Sequence, residues 1–265
     1  ATGIILSATG ASGGLKVKGT GAAGSGGTIA SKTGTDGDTA TGIGIYLNQT
    51  ANVSLAWMQL NDHQNFAIRG TAVAGFTLAS SVVSGANGSN AAIDEAAVAF
   101  DGLTGTATIS GSSLSGGVED NFRVRNTTGV LNRITFDATT FGANHAATGN
   151  DGLHLQPSGT AVTAAGDLLQ CNNLSSVGAT SDLVVTGTAF SNNHPAIATG
   201  GGGVTIGGGD NGAGLTYTLT GNTFRDAKGT AVLLVKSTGA GTYSGTFGNN
   251  AIGVPMTEGF GRAIE

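Results

Sequence analysis

The chain has 265 residues and a net charge of −5; it is 39% hydrophobic but only 5% aromatic and 10% charged, with 48 glycines and 3 prolines. The glycines follow no G-x-y period, which excludes collagen, and recurrent clusters of Val, Ile, Leu and Phe exclude a disordered chain. No apolar run reaches the roughly 18 residues of a membrane span, and the absence of a basic cluster argues against nucleic acid as a main partner.

In chain order, the opening ATGIILSATGASGGLKVKGT reads as strand and turn. There is no initiator Met, no signal peptide and no cap at either end, and GRAIE stops as a strand pattern begins. A piece of a longer repeat protein is therefore expected. Next come alternating segments of one class: VSLAWMQLND (53–62), FTLASSVVSG (76–85), ATISGSSLSG (107–116), RITFDATTFGAN (133–144), LVVTGTAFSNN (183–193) and LTYTLTGNTFRD (215–226). In each, a strand is followed five residues later by an apolar anchor. The pairs are Leu55/Leu60, Leu78/Val83, Ile109/Leu114, Phe136/Phe141, Val185/Phe190 and Leu219/Phe224, and Phe247/Ile252 makes a seventh beyond these segments. A second class of short strand interleaves with the first: GIGIYL (42–47), FAIRG (66–70), AVAFDG (97–102), NFRVRN (121–126), GLHLQ (152–156), GVTIGG (203–208) and TAVLLVK (230–236). GDLLQCNN (166–173) resembles the second class but lacks a first-class partner before it, which predicts a shortened or deviant coil.

Strands of period two separated by polar corners, recurring at one-coil intervals, are the parts of a solenoid. The fold expected over residues 1–265 is a single all-β domain, a right-handed parallel β-helix of about eight or nine coils. Handedness follows the general bias of parallel crossovers. A β-sandwich is the alternative, since short strands and turns suit it too. Asn52, Asn144, Asn193, Asn222 and Asn249 are candidates for corners, where an amide can bond a neighbouring coil.

These segments resemble the β-strand repeats of very large bacterial exported proteins. They are adhesin-like parallel β-helix proteins of the pectate-lyase-like superfamily, and the likeness runs over nearly the whole chain from about residue 15. The resemblance implies a secreted or bacterial cell-surface location, a right-handed β-helix and a structural or adhesive role. The partners expected are glycans or other surface proteins, and neighbouring repeats of the same chain. It carries over no catalytic residues. Because polysaccharide lyases and glycoside hydrolases share the architecture, a polysaccharide-active enzyme is the alternative function.

Chemistry is sparse along the chain. In GVEDNFRVRN (117–126), alternation turns Phe122 and Val124 inward and Arg123 and Arg125 outward. Arg69, Arg123, Arg125, His154 and Gln156 would then share an outward sheet face able to bind a glycan or a partner's carboxylates. Acids recur in the turn before this strand class: Asp94 and Glu95, Glu119 and Asp120, Asp151, and Asp167. They read as solvated turn acids, with Asp94, Glu95, Glu119 and Asp120 as a possible Ca²⁺ site; no other cofactor is implied. Asp62, Asp101 and Asp137 could pair as in an inverting glycosidase, and Trp57 or Tyr46 could floor a sugar groove, but nothing selects them.

The four histidines show no metal-ligand spacing, which argues against zinc. The lone Cys171 reads as a buried hydrophobe. The glycine run at 200–214 lacks the Lys-Ser/Thr ending of a phosphate loop. Ser and Thr abound, yet no T-x-T motif recurs in every coil, which disfavours an ice-binding surface.

Overall fold

The structure is a computed structural model; it describes residues 1–146, 151–159, 166–173, 179–191, 202–209, 213–225 and 230–252. The first coil is formed by β1 (Ile4–Ser7), β2 (Lys16–Val17) and β3 (Gly27–Ala30). Three coils built on long strands follow: β4 (Ile43–Ala56) with β5 (Met58–Asn61), β6 (Phe66–Ala79) with β7 (Val82–Ser84), and β8 (Val98–Ser110) with β9 (Ser113–Leu114). The next coil has β10 (Phe122–Arg125), β11 (Leu131–Asp137) and β12 (Thr140–Phe141), and then β13 (Leu153–Gln156) is the one strand of its coil among the described residues. The last coils are β14 (Leu169–Asn172), β15 (Thr180–Thr186) and β16 (Ala189–Ser191); β17 (Val204–Gly208), β18 (Gly214–Thr220) and β19 (Thr223–Arg225); and β20 (Val232–Lys236), β21 (Tyr243–Gly248) and β22 (Ala251–Ile252).

Among the described residues every paired strand is parallel, in one 14-stranded and one 8-stranded sheet. The larger sheet has two faces, because β4, β6 and β8 each turn a corner at mid-strand. Beyond β8 it divides: β10 pairs with Val98–Asp101, and β11 with the half of β8 from Gly105 to Ser110. The molecule is thus a three-sided parallel β-helix. Its first face carries the GIGIYL class, its second the strands after the corner, and its third the short strands from β3 to β22.

The corners are backbone devices. At the first, two left-handed residues three apart bend each long strand at matching positions: Gln49 and Asn52, Ala72 and Gly75, Gly102 and Gly105. The second corner needs a single left-handed residue, supplied in successive coils by Trp57, Ser80, Gly111, Ala138, Gly187, Gly221 and Asn249. One such residue turns the chain sharply from one face to the next. That is why the spacing from Leu55 to Leu60 recurs unchanged down to Phe247 and Ile252.

A hydrogen-bonded ladder follows this corner. The side chains of Ser81, Ser112, Thr188, Asn222 and Asn250 accept the backbone N–H groups of Met58, Ser81, Thr139, Thr188 and Asn222, at 2.9–3.4 Å. Each side chain donates in turn to a carbonyl, as Asn222 does to Val185 and Asn250 to Leu219. Backbone groups that a tight corner would leave orphaned are satisfied in this way.

The core is one continuous column. All seven predicted anchor pairs fall in register, Leu55 through Phe247 on the second face and Leu60 through Ile252 on the third. A chain of phenylalanine contacts runs from Phe76 through Phe100, Phe122, Phe136, Phe141 and Phe190 to Phe224, with centroids 4.8–6.0 Å apart. Cys171 is fully buried, and burial pushes its thiol up to about 12.

The deviant coil is the one that starts at β13. Strand β14 pairs directly beside β13 on the first face, whereas β11 pairs straight to β15 and β12 to β16 on the other two. The first face therefore gains a rung with no counterpart on the second or third. That insertion positions the site.

Candidate functional site

Inserting β13 places three first-face strands, β10, β13 and β14, on adjacent rungs, each preceded by an aspartate in equivalent position: Asp120, Asp151 and Asp167. One coil earlier this position is Ala96, which with Ile43, Phe66 and Ala99 forms a small apolar cluster outside the main core. The acids form a ladder. Asp120 Oδ1 accepts the Asp151 N–H at 2.9 Å, Asp151 Oδ1 the Asp167 N–H at 2.6 Å, and Asp167 Oδ1 the Gly202 N–H at 2.6 Å. An aspartate here thus caps a turn by bonding the next coil's backbone.

The reading of these acids as solvated fails. Asp120 and Asp151 are fully buried, and Asp167 is 3% exposed. Burial, then the neighbouring charges of Asp120 and Asp167, pushes the Asp151 carboxyl well above the usual carboxylate range. Burial, with Asp120 adding, pushes Glu119 up to about 7. Burial also raises Glu95, against the opposing effect of two N–H bonds from Ser89 and Asn90 to its Oε2, at 2.7 and 2.8 Å.

His154 faces this ladder from β13. Its Nδ1 lies 3.6 Å from Asp120 Oδ2 and 4.0 Å from Asp151 Oδ2. The residue is 1% exposed, and neither ring nitrogen has a hydrogen-bond partner; the same holds for Asp120 Oδ2 and Asp151 Oδ2. Among the described residues, Asp120, Asp151 and His154 are the one His/Cys/Asp/Glu group with ligand atoms gathered within 4.8 Å.

The other predicted Ca²⁺ residues take separate roles. Asp94 pairs with Arg125 and, at 3.1 Å, with Arg123, while Glu95 closes the loop at Ser89 and Asn90. Glu119 is buried, and its carbonyl accepts from the Asn144 amide. Of the four, Asp120 alone joins the cluster.

The predicted binding face splits similarly. Alternation does turn Arg69, Arg123, Arg125, His154 and Gln156 away from the coil core, in one or the other of two columns. Yet Arg69, Arg123, His154 and Gln156 are all buried, and Arg125 is partly so. Arg69 pairs with Asp101 and lies over the Phe66 ring at 5.3 Å. Ala99, the rung between Arg69 and Arg123, leaves room for the two guanidiniums. The Gln156 amide donates to the Gly159 carbonyl at 2.8 Å.

The acids weighed for glycoside hydrolysis lie apart. Asp101 is on the first face, Asp137 is on the second and accepts from Thr186, and Asp62 accepts the Ala86 N–H beyond the third. Trp57 forms a corner, and Tyr46 packs partly buried against the Ile43 cluster. Of the asparagine candidates, Asn52 and Asn249 are left-handed corner residues, Asn222 is in the ladder, and Asn144 bonds the neighbouring coil. Asn193 lies outside the described residues. The residues at 200–201 and 210–212 of the glycine run are likewise outside them.

Two features escaped the sequence reading. Asn126 spans the first corner, its Oδ1 accepting the Gly102 and Leu103 N–H groups and its Nδ2 reaching the Leu103 and Pro157 carbonyls. On the second face, one outward column reads Ser54, Thr77, Thr108, Thr135, Val184, Thr218 and Thr246 through seven consecutive rungs. The signal was present, since each of these residues immediately precedes a first-strand anchor. A search for T-x-T overlooks a column one residue wide.

No family model, curated protein or solved structure matches this chain. No helix among the described residues is long and apolar enough to cross a membrane.

Proposed function

We propose that this chain is a non-catalytic, extracellular or cell-surface β-helix segment, of the bacterial adhesin-like kind within the pectate-lyase-like superfamily. Its second face would serve as an adhesive surface for extended glycans. The supporting observation is the outward Ser/Thr column from Ser54 to Thr246. Its hydroxyls repeat at one rung, about 4.8 Å, interrupted at Val184, and all of its members stand at least partly exposed. A regular row of small groups that both donate and accept suits a repetitive hydroxyl-bearing polymer better than a single small substrate. The dispersal of Asp62, Asp101 and Asp137 over different faces favours binding without turnover, because hydrolysis needs its acid and base on one scissile bond.

The test is co-sedimentation with insoluble polysaccharides such as cellulose, chitin and peptidoglycan. The wild-type protein pellets with at least one of them, and the Thr108→Lys, Thr135→Lys, Thr218→Lys triple variant stays in the supernatant with its circular dichroism unchanged. Release of shortened or unsaturated oligosaccharides from any of these polymers, or from polygalacturonate, would sink the reading.

A further inference from the structure

The structure assigns a metal site to Asp120, Asp151 and His154, and the chemistry of these ligands points to a divalent transition ion of the zinc class. The assignment does not depend on what the second face binds. Acid clusters alone are common in turns; the imidazole singles this one out. A histidine 1% exposed, with both ring nitrogens lacking a hydrogen-bond partner, is an expensive thing to bury. Its Nδ1 is aimed at two carboxylate oxygens, Asp120 Oδ2 and Asp151 Oδ2, which are buried and unpartnered as well.

The other oxygens of both aspartates are held by backbone N–H groups of the next coil, so Oδ1 fixes each carboxylate and Oδ2 is left pointing at His154. A ligand held by a second interaction in this way is the usual outer-shell arrangement of a metal centre. Two carboxylates and a neutral imidazole around a dication sum to zero charge, which removes the cost of burying two like charges side by side.

Size and donor type select the ion. Bonds of about 2.0–2.1 Å in a tetrahedron separate ligand atoms by roughly 3.4 Å. The nitrogen-to-oxygen distances of 3.6 and 4.0 Å need only a small contraction to reach this. Imidazole favours zinc-class ions over Ca²⁺ and Mg²⁺, which prefer all-oxygen shells of six or more ligands. Gln170, the next rung after His154 in the same column, is 4% exposed and has a buried, unpartnered Oε1.

The three ligands come from β13 and the turns just before β10 and β13, so the inserted rung is what brings them together. This also explains why histidine spacing along the chain gave no sign of zinc.

Because the ligands are buried, the protein should be refolded after chelation, with Zn²⁺, Co²⁺ or Ca²⁺ present in turn, and then desalted. One Zn²⁺ or Co²⁺ is expected per chain by elemental analysis, with the strong visible absorption of low-coordinate Co²⁺, and no retained Ca²⁺. His154→Gln and Asp120→Asn should lose the ion, and His63→Gln should keep it. His154→Cys preserves a ligand and should add a sulfur-to-cobalt charge-transfer band in the near ultraviolet. That band, with the wild-type spectrum, decides the matter even if the other variants fail to fold. Absence of stoichiometric Zn²⁺ or Co²⁺ in the wild type, retention of Ca²⁺ instead, or uptake unchanged in His154→Gln would overturn the assignment.

Discussion

Gly70 shows how one residue accommodates its neighbours. It occupies an inward position on the first face between Leu47 and Phe100, and an added Cβ would lie 2.2 Å from a ring carbon of Phe100. The missing side chain gives the ring its space, as Gly245 does for Tyr217 on the second face. Gly70→Ala is therefore expected to destabilise by about 1–3 kcal/mol, read as a lowered urea midpoint with unchanged m-value. His63 makes a second prediction. It is 1% exposed, and burial, followed by the charge of Lys32 and opposed by Asp62, lowers its pKa to about 4. The unfolded chain takes up this proton near pH 6.5 and the folded one only near pH 4, so stability falls as the pH drops through that window. The loss is at most about 3 kcal/mol. Melting temperatures of wild type and His63→Asn, compared between pH 7 and pH 4, should converge as the pH falls; parallel curves would refute this.

At the scale of the element, the strands owe their register to what lies between them. The second corner works with Trp, Ser, Gly, Ala or Asn because each adopts a left-handed backbone at moderate cost, Gly and Asn most easily. A β-branched residue there is a different matter: Gly187→Val should destabilise by roughly 1–2 kcal/mol more than Gly187→Asn, as measured by chemical denaturation. Asn126 closes four bonds at the first corner, and Asn126→Leu would leave buried N–H and C=O groups without partners. The expected cost is about 2–4 kcal/mol. The stacked pair Phe141 and Phe190, with centroids 4.8 Å apart and planes within 2°, carries the third face past the inserted rung. Phe190→Ala should cost about 3–5 kcal/mol.

For the whole molecule, the dominant fact is that each coil touches only its neighbours. Stability in such an array is a sum of coil terms and nearest-neighbour interfaces. Phe136→Ala, in the coil of β10 to β12, should weaken hydrogen-exchange protection from β8 to β16 while leaving β1 to β3 near wild-type levels. A uniform loss of protection along the chain would show instead that the rod unfolds as one unit. Native Cys171, buried beside the inserted rung, should resist a thiol reagent until those coils open.

Most of the coil architecture was legible in the sequence. Leu55 with Leu60 through Phe247 with Ile252 recur at one spacing because the second corner admits a single left-handed residue, and the gap at 156–182 marked the lone rung of β13. The sequence could not reveal what becomes of outward side chains. Alternation states that Arg123 and His154 leave the core; it does not state that they are then buried, because that depends on turns from other coils. Asp120 and Asp151 are 31 residues apart, and Asp151 and Asp167 only 16. Connections of such uneven length hide an alignment that backbone hydrogen bonding between rungs enforces. Local periodicity determined the fold, because every coil must bury the same stripe. Only the stacking of unequal coils decided which acids would meet a histidine.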